Sequence, residues 1–183
     1  ADFEAVVSGG RHYDNITPCY LGGLQLTGDL IPDKSIALPV DENWYYVAAF
    51  PGFSLNTAKA RSVLPKELSM HASVEFAQRL SAFSSLLLTN RFDDALSIMK
   101  DEIAEPYRAP LIKGFSEAKA SLPALGAEIV SISGAGPTLF SVCKTLEAAK
   151  QCAQWLEANY INEQGFCHIC KLDNDGTRQL TVL

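Results

Sequence analysis

At 183 residues and 19.9 kDa, the chain has room for one sizeable domain, or for a domain with part of a second. Its composition, 48% hydrophobic and 20% charged, is that of a globular protein, and 15 basic against 21 acidic residues leave a net charge of -6. That acidity argues against a nucleic-acid binder, which shows a basic footprint, and no window of about 18 uncharged residues exists to span a membrane.

In chain order, Ala1 to Val7 (ADFEAVV) has no initiator Met, no basic region and no long apolar core. It reads as the last turns of a helix closed by Ser8-Gly9-Gly10, so the sequence is expected to be a piece of a longer protein. Residues 16 to 40 read as strands. Tyr20-Leu21-Gly22-Gly23-Leu24-Gln25-Leu26 alternates, Gly28-Asp29 turns the chain, and Ile36 to Val40 is a second run. Trp44 to Phe50 is aromatic and β-branched and is stopped by Pro51-Gly52. Helices follow. Phe76, Leu80, Phe83 and Leu87 form one apolar stripe, and Phe92, Ala95, Leu96 and Met99 a shorter one. Leu111 to Leu125 reads as a third helix, ended by Gly126.

Two strands, Ile129 to Ile132 and Leu139 to Cys143, flank the turn Ser133-Gly134-Ala135-Gly136-Pro137-Thr138. Thr145 is placed to cap a helix carrying Ala148, Cys152, Trp155 and Leu156, and Phe166 to Leu172 and Gln179 to Leu183 read as strands. From Trp44 onward the order is strand, helices, strand, turn, strand, helix, strand. That is an α+β, split βαβ plan, an antiparallel sheet expected to carry its helices on one face.

Four groups of residues bear chemistry. Glu4 precedes a His12-Tyr13-Asp14-Asn15 loop, which gathers a metal-competent carboxylate and polar donors, although Asp14 and Asn15 serve equally well as turn formers. In Ser133 to Thr138, Gly134 and Gly136 let a turn expose successive N–H groups to an anion, or simply close a hairpin. It is no Walker A loop, because no Gly-Lys-Ser/Thr follows. Arg61 and Arg108 follow loop signals, and a guanidinium binds a carboxylate through two parallel bonds, yet lone surface arginines are common. Cys167-His168-Ile169-Cys170 is formally C-x-x-C, but it lies in a strand, where positions three apart face opposite sides, so redox and zinc roles are set aside. The odd set of five cysteines (Cys19, Cys143, Cys152, Cys167, Cys170) suits free thiols in a reducing cytoplasm.

Together these segments resemble the homoserine kinases of the GHMP kinase superfamily. The resemblance rests on Glu4 followed by His12, Asp14 and Asn15, on Asn56-Thr57 with Arg61, on Glu105-Pro106-Tyr107-Arg108, and on the Ser133 to Thr138 loop, in that order. It implies a ferredoxin-like C-terminal domain over residues 42–183. Residues 1–41 would be the tail of an ATP-binding domain of the ribosomal protein S5 domain 2-like kind. It also implies ATP-dependent phosphorylation of L-homoserine in threonine biosynthesis, in the cytoplasm, with room for a homodimer. Glu4 would hold Mg²⁺, His12 and Asn15 would meet the substrate with Asn15 at its hydroxyl, and Thr57 would lie near the transferred phosphoryl. Arg61 and Arg108 would hold the substrate carboxylate, and Gly134, Ala135 and Gly136 would form the phosphate and substrate loop. The glycine-serine ATP loop of the family is not in the sequence, so the missing N-terminal part would be a partner and the chain alone is expected to be inactive. Two alternatives stay open: another GHMP small-molecule kinase, such as a mevalonate-type kinase, and a non-catalytic ferredoxin-like binding module.

Overall fold

A computed structural model of the chain describes residues 13–179. Helix α1 (Ile16–Leu21) leads into a hairpin of β1 (Leu24–Thr27) and β2 (Ser35–Leu38), followed by β3 (Tyr45–Phe50). Helices α2 (Thr57–Ser62), α3 (Met70–Leu88), α4 (Phe92–Ile98), α5 (Glu105–Arg108) and α6 (Phe115–Ser121) come next. The chain continues as β4 (Ala127–Ile132), β5 (Leu139–Cys143), α7 (Leu146–Asn159) and β6 (Phe166–Cys170).

Four strands form one antiparallel sheet in the order β4-β5-β3-β6. Numbering these four strands in chain order, this is the 2-3-1-4 arrangement of a ferredoxin-like split βαβ fold, as the element order predicts. Strand alternation sorts the core. Val47 and Ala49 of β3 and Leu139 and Cys143 of β5 pack with Phe115, Ala118, Leu122, Ala149, Cys152 and Leu156 of the α6–α7 side. Tyr46, Phe140 and Val142 point the other way and meet Leu87, Ala95 and Leu96 of α3 and α4, with Leu38 of the hairpin. Helices therefore cover both faces rather than one. The cause lies in the sequence of β5: a strand buried on both sides is largely apolar without alternation, and in Leu139-Phe140-Ser141-Val142-Cys143 only the buried Ser141 is polar.

Local chemistry explains the ends. The Thr145 hydroxyl accepts from the Ala148 N–H at 3.1 Å and starts α7, and the Ser69 hydroxyl does the same for α3 with Ala72. Three expectations need correction. Tyr20 and Leu21 are helical, not extended, because the 173–177 segment straps the end of α1: Asp173 O accepts from Gly23 N–H, and Tyr20 O from Thr177 N–H. A Cβ at Gly22, whose φ is +77°, would sit 2.6 Å from the Asn174 backbone, so the strap requires glycine there. The helix read over 111–125 is a short α6 between two 3₁₀ turns, with Gly114 left-handed at its start and Gly126 closing the second turn as expected. Gln179 extends no strand, and residues 180–183 lie outside the described residues, as do residues 1–12.

Leu87 is fully buried between α3 and the sheet, whereas Met70 on the same helix is 80% exposed. Leu87→Ala is expected to lower stability by about 2–5 kcal/mol and Met70→Ala by less than about 0.5 kcal/mol. Urea midpoints read the difference, and equal shifts would show that α3 is not anchored through Leu87.

Candidate active site

Sheet geometry brings two of the motifs to one end. Ala49 near the end of β3 pairs with Leu139 at the start of β5, and Ile132 at the end of β4 pairs with the same residue. The segment leaving β3 and the Ser133–Thr138 turn therefore emerge side by side. The first enters α2, where the Asn56 side chain accepts from the Lys59 N–H at 3.0 Å and caps the helix. Thr57 is the first residue of α2 and is exposed, Ala60 is fully buried, and Arg61 follows on the exposed side.

The turn is held at both ends. Ser133 N–H donates to Thr138 O at 2.8 Å, and Gly136 N–H returns to Ser133 O at 3.0 Å. Gly134 and Gly136 have φ of +57° and +82°, and the Gly136–Pro137 bond is cis. A Cβ at Gly136 would lie 2.6 Å from Ile112 Cδ1, so the loop sits directly on the core, and at φ +82° a side chain there would also be strained. Tyr160, at the end of α7, donates its hydroxyl to Pro137 O at 2.5 Å from a buried position. Burial pushes that phenol well above its ordinary range, so it stays a donor. Nothing in the sequence marks Tyr160 as a loop anchor, because the contact spans 23 residues.

Arg108 joins the third motif to the other two. Its Nε donates to Ala60 O at 3.3 Å and its Nη1 to Gly134 O at 2.9 Å. The guanidinium thus lies between α2, one residue from Arg61, and the glycine turn. Two of its five N–H groups go to backbone carbonyls among the described residues, and three keep the forked geometry that suits a carboxylate or phosphate. Arg108 is half-buried, which strengthens any such bond relative to a fully solvated one.

The short helix carrying Arg108 is itself fixed. Asp101 accepts from the Ile103, Ala104 and Glu105 N–H groups at 2.7–3.1 Å and caps the turn. Glu105 is buried, pairs with Lys119 of α6 and accepts from Ser131 Oγ of β4 at 3.1 Å. Sequence singled out Glu105 only as part of the Glu105-Pro106-Tyr107-Arg108 segment, and Asp101 not at all.

The remaining candidates are not gathered here. Asn15 precedes α1 as an exposed residue whose side chain makes no capping bond. Glu4 and His12 lie outside the described residues. Among the described residues no three His, Cys, Asp or Glu side chains converge as a metal site. The C-x-x-C pair behaves as a strand pair: Cys167 lies opposite Ala49 and Cys170 opposite Tyr46, on different faces. Burial, followed by the charge of Glu157, raises Cys167 to about 11, far from a reactive thiolate.

The two-faced antiparallel sheet thus brings a glycine turn and an arginine together at one end. Residues 79–162 match the family described as GHMP kinases C terminal. The chain is similar to the homoserine kinase of Buchnera aphidicola subsp. Cinara cedri, at 44% identity over 97% of this chain and 56% of that protein. It also matches a crystal structure of homoserine kinase from Cytophaga hutchinsonii, with a TM-score of 0.86 and 30% identity over 96% of this chain and 56% of that one. L. major mevalonate kinase, solved with R-mevalonate, shares the fold alone: TM-score 0.52 and 13% identity over 81% of this chain and 47% of that one. The chain thus spans about half the length of the relatives it matches.

Tyr160→Phe keeps the ring and leaves Pro137 O without its donor. It is expected to cost about 1–3 kcal/mol of stability, measured by urea denaturation, and a wild-type midpoint would remove Tyr160 from the loop's support.

Proposed function

We propose that this chain forms the substrate-carboxylate side of a homoserine kinase, which transfers the γ-phosphoryl of ATP to the hydroxyl of L-homoserine. The products are ADP and O-phospho-L-homoserine, formed in cytoplasmic threonine biosynthesis. The observation that carries the reading is the position of Arg108 between Ala60 of the Arg61 helix and the Gly134 turn. Three separate sequence motifs are joined there by one guanidinium, at the end of the sheet from which α2 and the turn both emerge. The 44% identity to a homoserine kinase over almost all of the chain supports the substrate class.

Phosphoryl transfer asks a protein for position and charge rather than covalent chemistry. In this reading Arg61 and Arg108 fork the amino-acid carboxylate, which fixes the far end of the substrate. Asn15 and His12 orient the hydroxyl end, and Thr57 with the N–H groups of Gly134, Ala135 and Gly136 faces the phosphoryl side. Glu4 is the residue that would hold Mg²⁺, and the ion would neutralise charge on the phosphates. Residues 1–41 read as the tail of the ATP-binding domain and 42–183 as the C-terminal domain. The fold likeness to mevalonate kinase favours no second substrate, because it is a likeness of fold only.

The test uses the intact protein, with the ATP-binding part that the relatives' length implies. A charged hydrogen bond contributes about 1.5–3 kcal/mol, and each 1.4 kcal/mol is about tenfold in affinity. Arg61→Ala and Arg108→Ala should each lower kcat/KM for homoserine by at least about tenfold while KM for ATP changes little. Lysine should restore only part, since it keeps charge and loses the fork. The analogue 3-aminopropanol, which has no carboxylate, should be a poor substrate and lose little more in either variant. Wild-type kinetics in both alanine variants would defeat the substrate assignment.

Glu4→Gln in the same protein should lower kcat and raise the Mg²⁺ concentration needed for half-maximal rate. An unchanged Mg²⁺ titration would leave Glu4 as an ordinary helix carboxylate.

A further inference from the structure

Glu105 is a buried carboxylate held by Lys119 and Ser131. We infer that Glu105 is the positioning residue for Arg108: it registers α5 against the strand that carries the glycine turn, and so sets the guanidinium at the substrate carboxylate. The inference rests on the reading of Arg108 as a carboxylate ligand.

The geometry is a closed ring. Glu105 Oε2 accepts from Ser131 Oγ at 3.1 Å, which fixes α5 to β4. Three residues on, the Gly134 carbonyl accepts from Arg108 Nη1 at 2.9 Å. Arg108 in turn stands three residues after Glu105 on the single helical turn. Both the base of the arginine and the carbonyl at its tip are therefore referred to the same carboxylate. Two further ties stiffen the ring. The Ala109 N–H, immediately past Arg108, donates to Glu105 O, and the Arg108 N–H donates to Ala104 O at 3.0 Å.

The second carboxylate oxygen meets Lys119 of α6, a helix packed against β4, so the brace spans three elements. A four-residue helix has almost no intrinsic stability. Its orientation must come from tertiary ties, and besides the two bonds of Arg108 itself the side-chain ties are those of Asp101 and Glu105. Asp101 satisfies the N–H groups at its start but touches no other element through those bonds, so it shapes the turn without aiming it. Glu105 does the aiming. A misplacement of a binding group by about 1 Å is enough to cost substantial rate. A carboxylate suits this role because it takes Ser131 and Lys119 on separate oxygens. Glutamine keeps the size and one acceptor but loses the charge that holds Lys119.

The experiment compares steady-state kinetics of Glu105→Gln, Ser131→Ala and Arg108→Ala, and the Glu105→Gln/Arg108→Ala pair, in the intact protein, with thermal melts of each. Glu105→Gln should raise KM for homoserine about five- to tenfold, with kcat and KM for ATP within about twofold. Ser131→Ala should shift KM in the same direction and less, and it carries the test if Glu105→Gln does not fold. In the Arg108→Ala background, Glu105→Gln should add less than about twofold, because its effect passes through the arginine. A lowered melting temperature with wild-type KM for homoserine would make Glu105 a purely structural brace and overturn the inference. So would an undiminished KM effect in the Arg108→Ala background. If instead Arg108→Ala itself leaves homoserine kinetics at wild type, the substrate reading fails, which is a distinct result.

Discussion

A guanidinium that bonds two backbone carbonyls 74 positions apart in sequence constrains everything between them. Ala60 and Gly134 meet Arg108 only if α2 and the glycine turn leave the sheet at the same end, on neighbouring strands. The antiparallel pairing of β5 with both β3 and β4 meets that condition, since Leu139 faces Ala49 on one side and Ile132 on the other. Strand order, in this sense, is a requirement of the site as much as of the core. The same constraint explains why the turn is packed rather than loose. Ile112 fills the space beneath Gly136, and Tyr160 fixes Pro137 from the end of α7, so the Gly134 carbonyl has one position to offer.

Charge in this region is arranged with its cost in view. Burying a carboxylate is unfavourable unless it is paired and hydrogen-bonded, and Glu105 meets both terms through Lys119 and Ser131. Such a pair adds little net stability compared with an apolar replacement, but breaking it leaves a buried charge unmatched. It is therefore better understood as fixing geometry than as holding the fold together. The fold rests instead on the two apolar layers around the sheet, where Leu87, Leu139 and Leu156 are fully buried.

How much of this was legible in the sequence follows from the range of each interaction. Strands β3, β4 and β5, the long stripe of α3, the Thr145 cap and the Gly126 closure all depend on neighbours within about one turn or one strand, and they were readable. The arginine and glycine segments were readable as a set only through their resemblance to a family, since each alone has an ordinary explanation. What could not be read were contacts set by tertiary distance. The helical state of Tyr20 and Leu21 depends on residues 173–177. Glu105 next to Pro106 looks like a solvated residue until Lys119 and Ser131 arrive from 14 and 26 positions away. The covering of the second sheet face was written in the β5 run, apolar on both faces except at Ser141, a signal that alternation-based reading passes over.

The fold shared with mevalonate kinase at 13% identity bears on where specificity can reside. Sheet and packing helices persist with most of their side chains changed, so the scaffold by itself does not choose a substrate. In the proposed reading, choice lies in groups that leave the scaffold at one end of the sheet: α2, the glycine turn and α5. The first two are continuous with strands and inherit their direction from the sheet. α5 is not, because it sits in the middle of a long helical crossover between β3 and β4 and has no strand to aim it. Its bearing comes from two acidic side chains, the bonds of Arg108 itself and a single proline-containing turn. An element oriented by side chains can change its aim by substitution without disturbing the sheet, whereas one oriented by a strand cannot. Arg108, carried on the former kind, is therefore, if it binds substrate as proposed, the part of the site where a change of substrate would demand the fewest changes elsewhere.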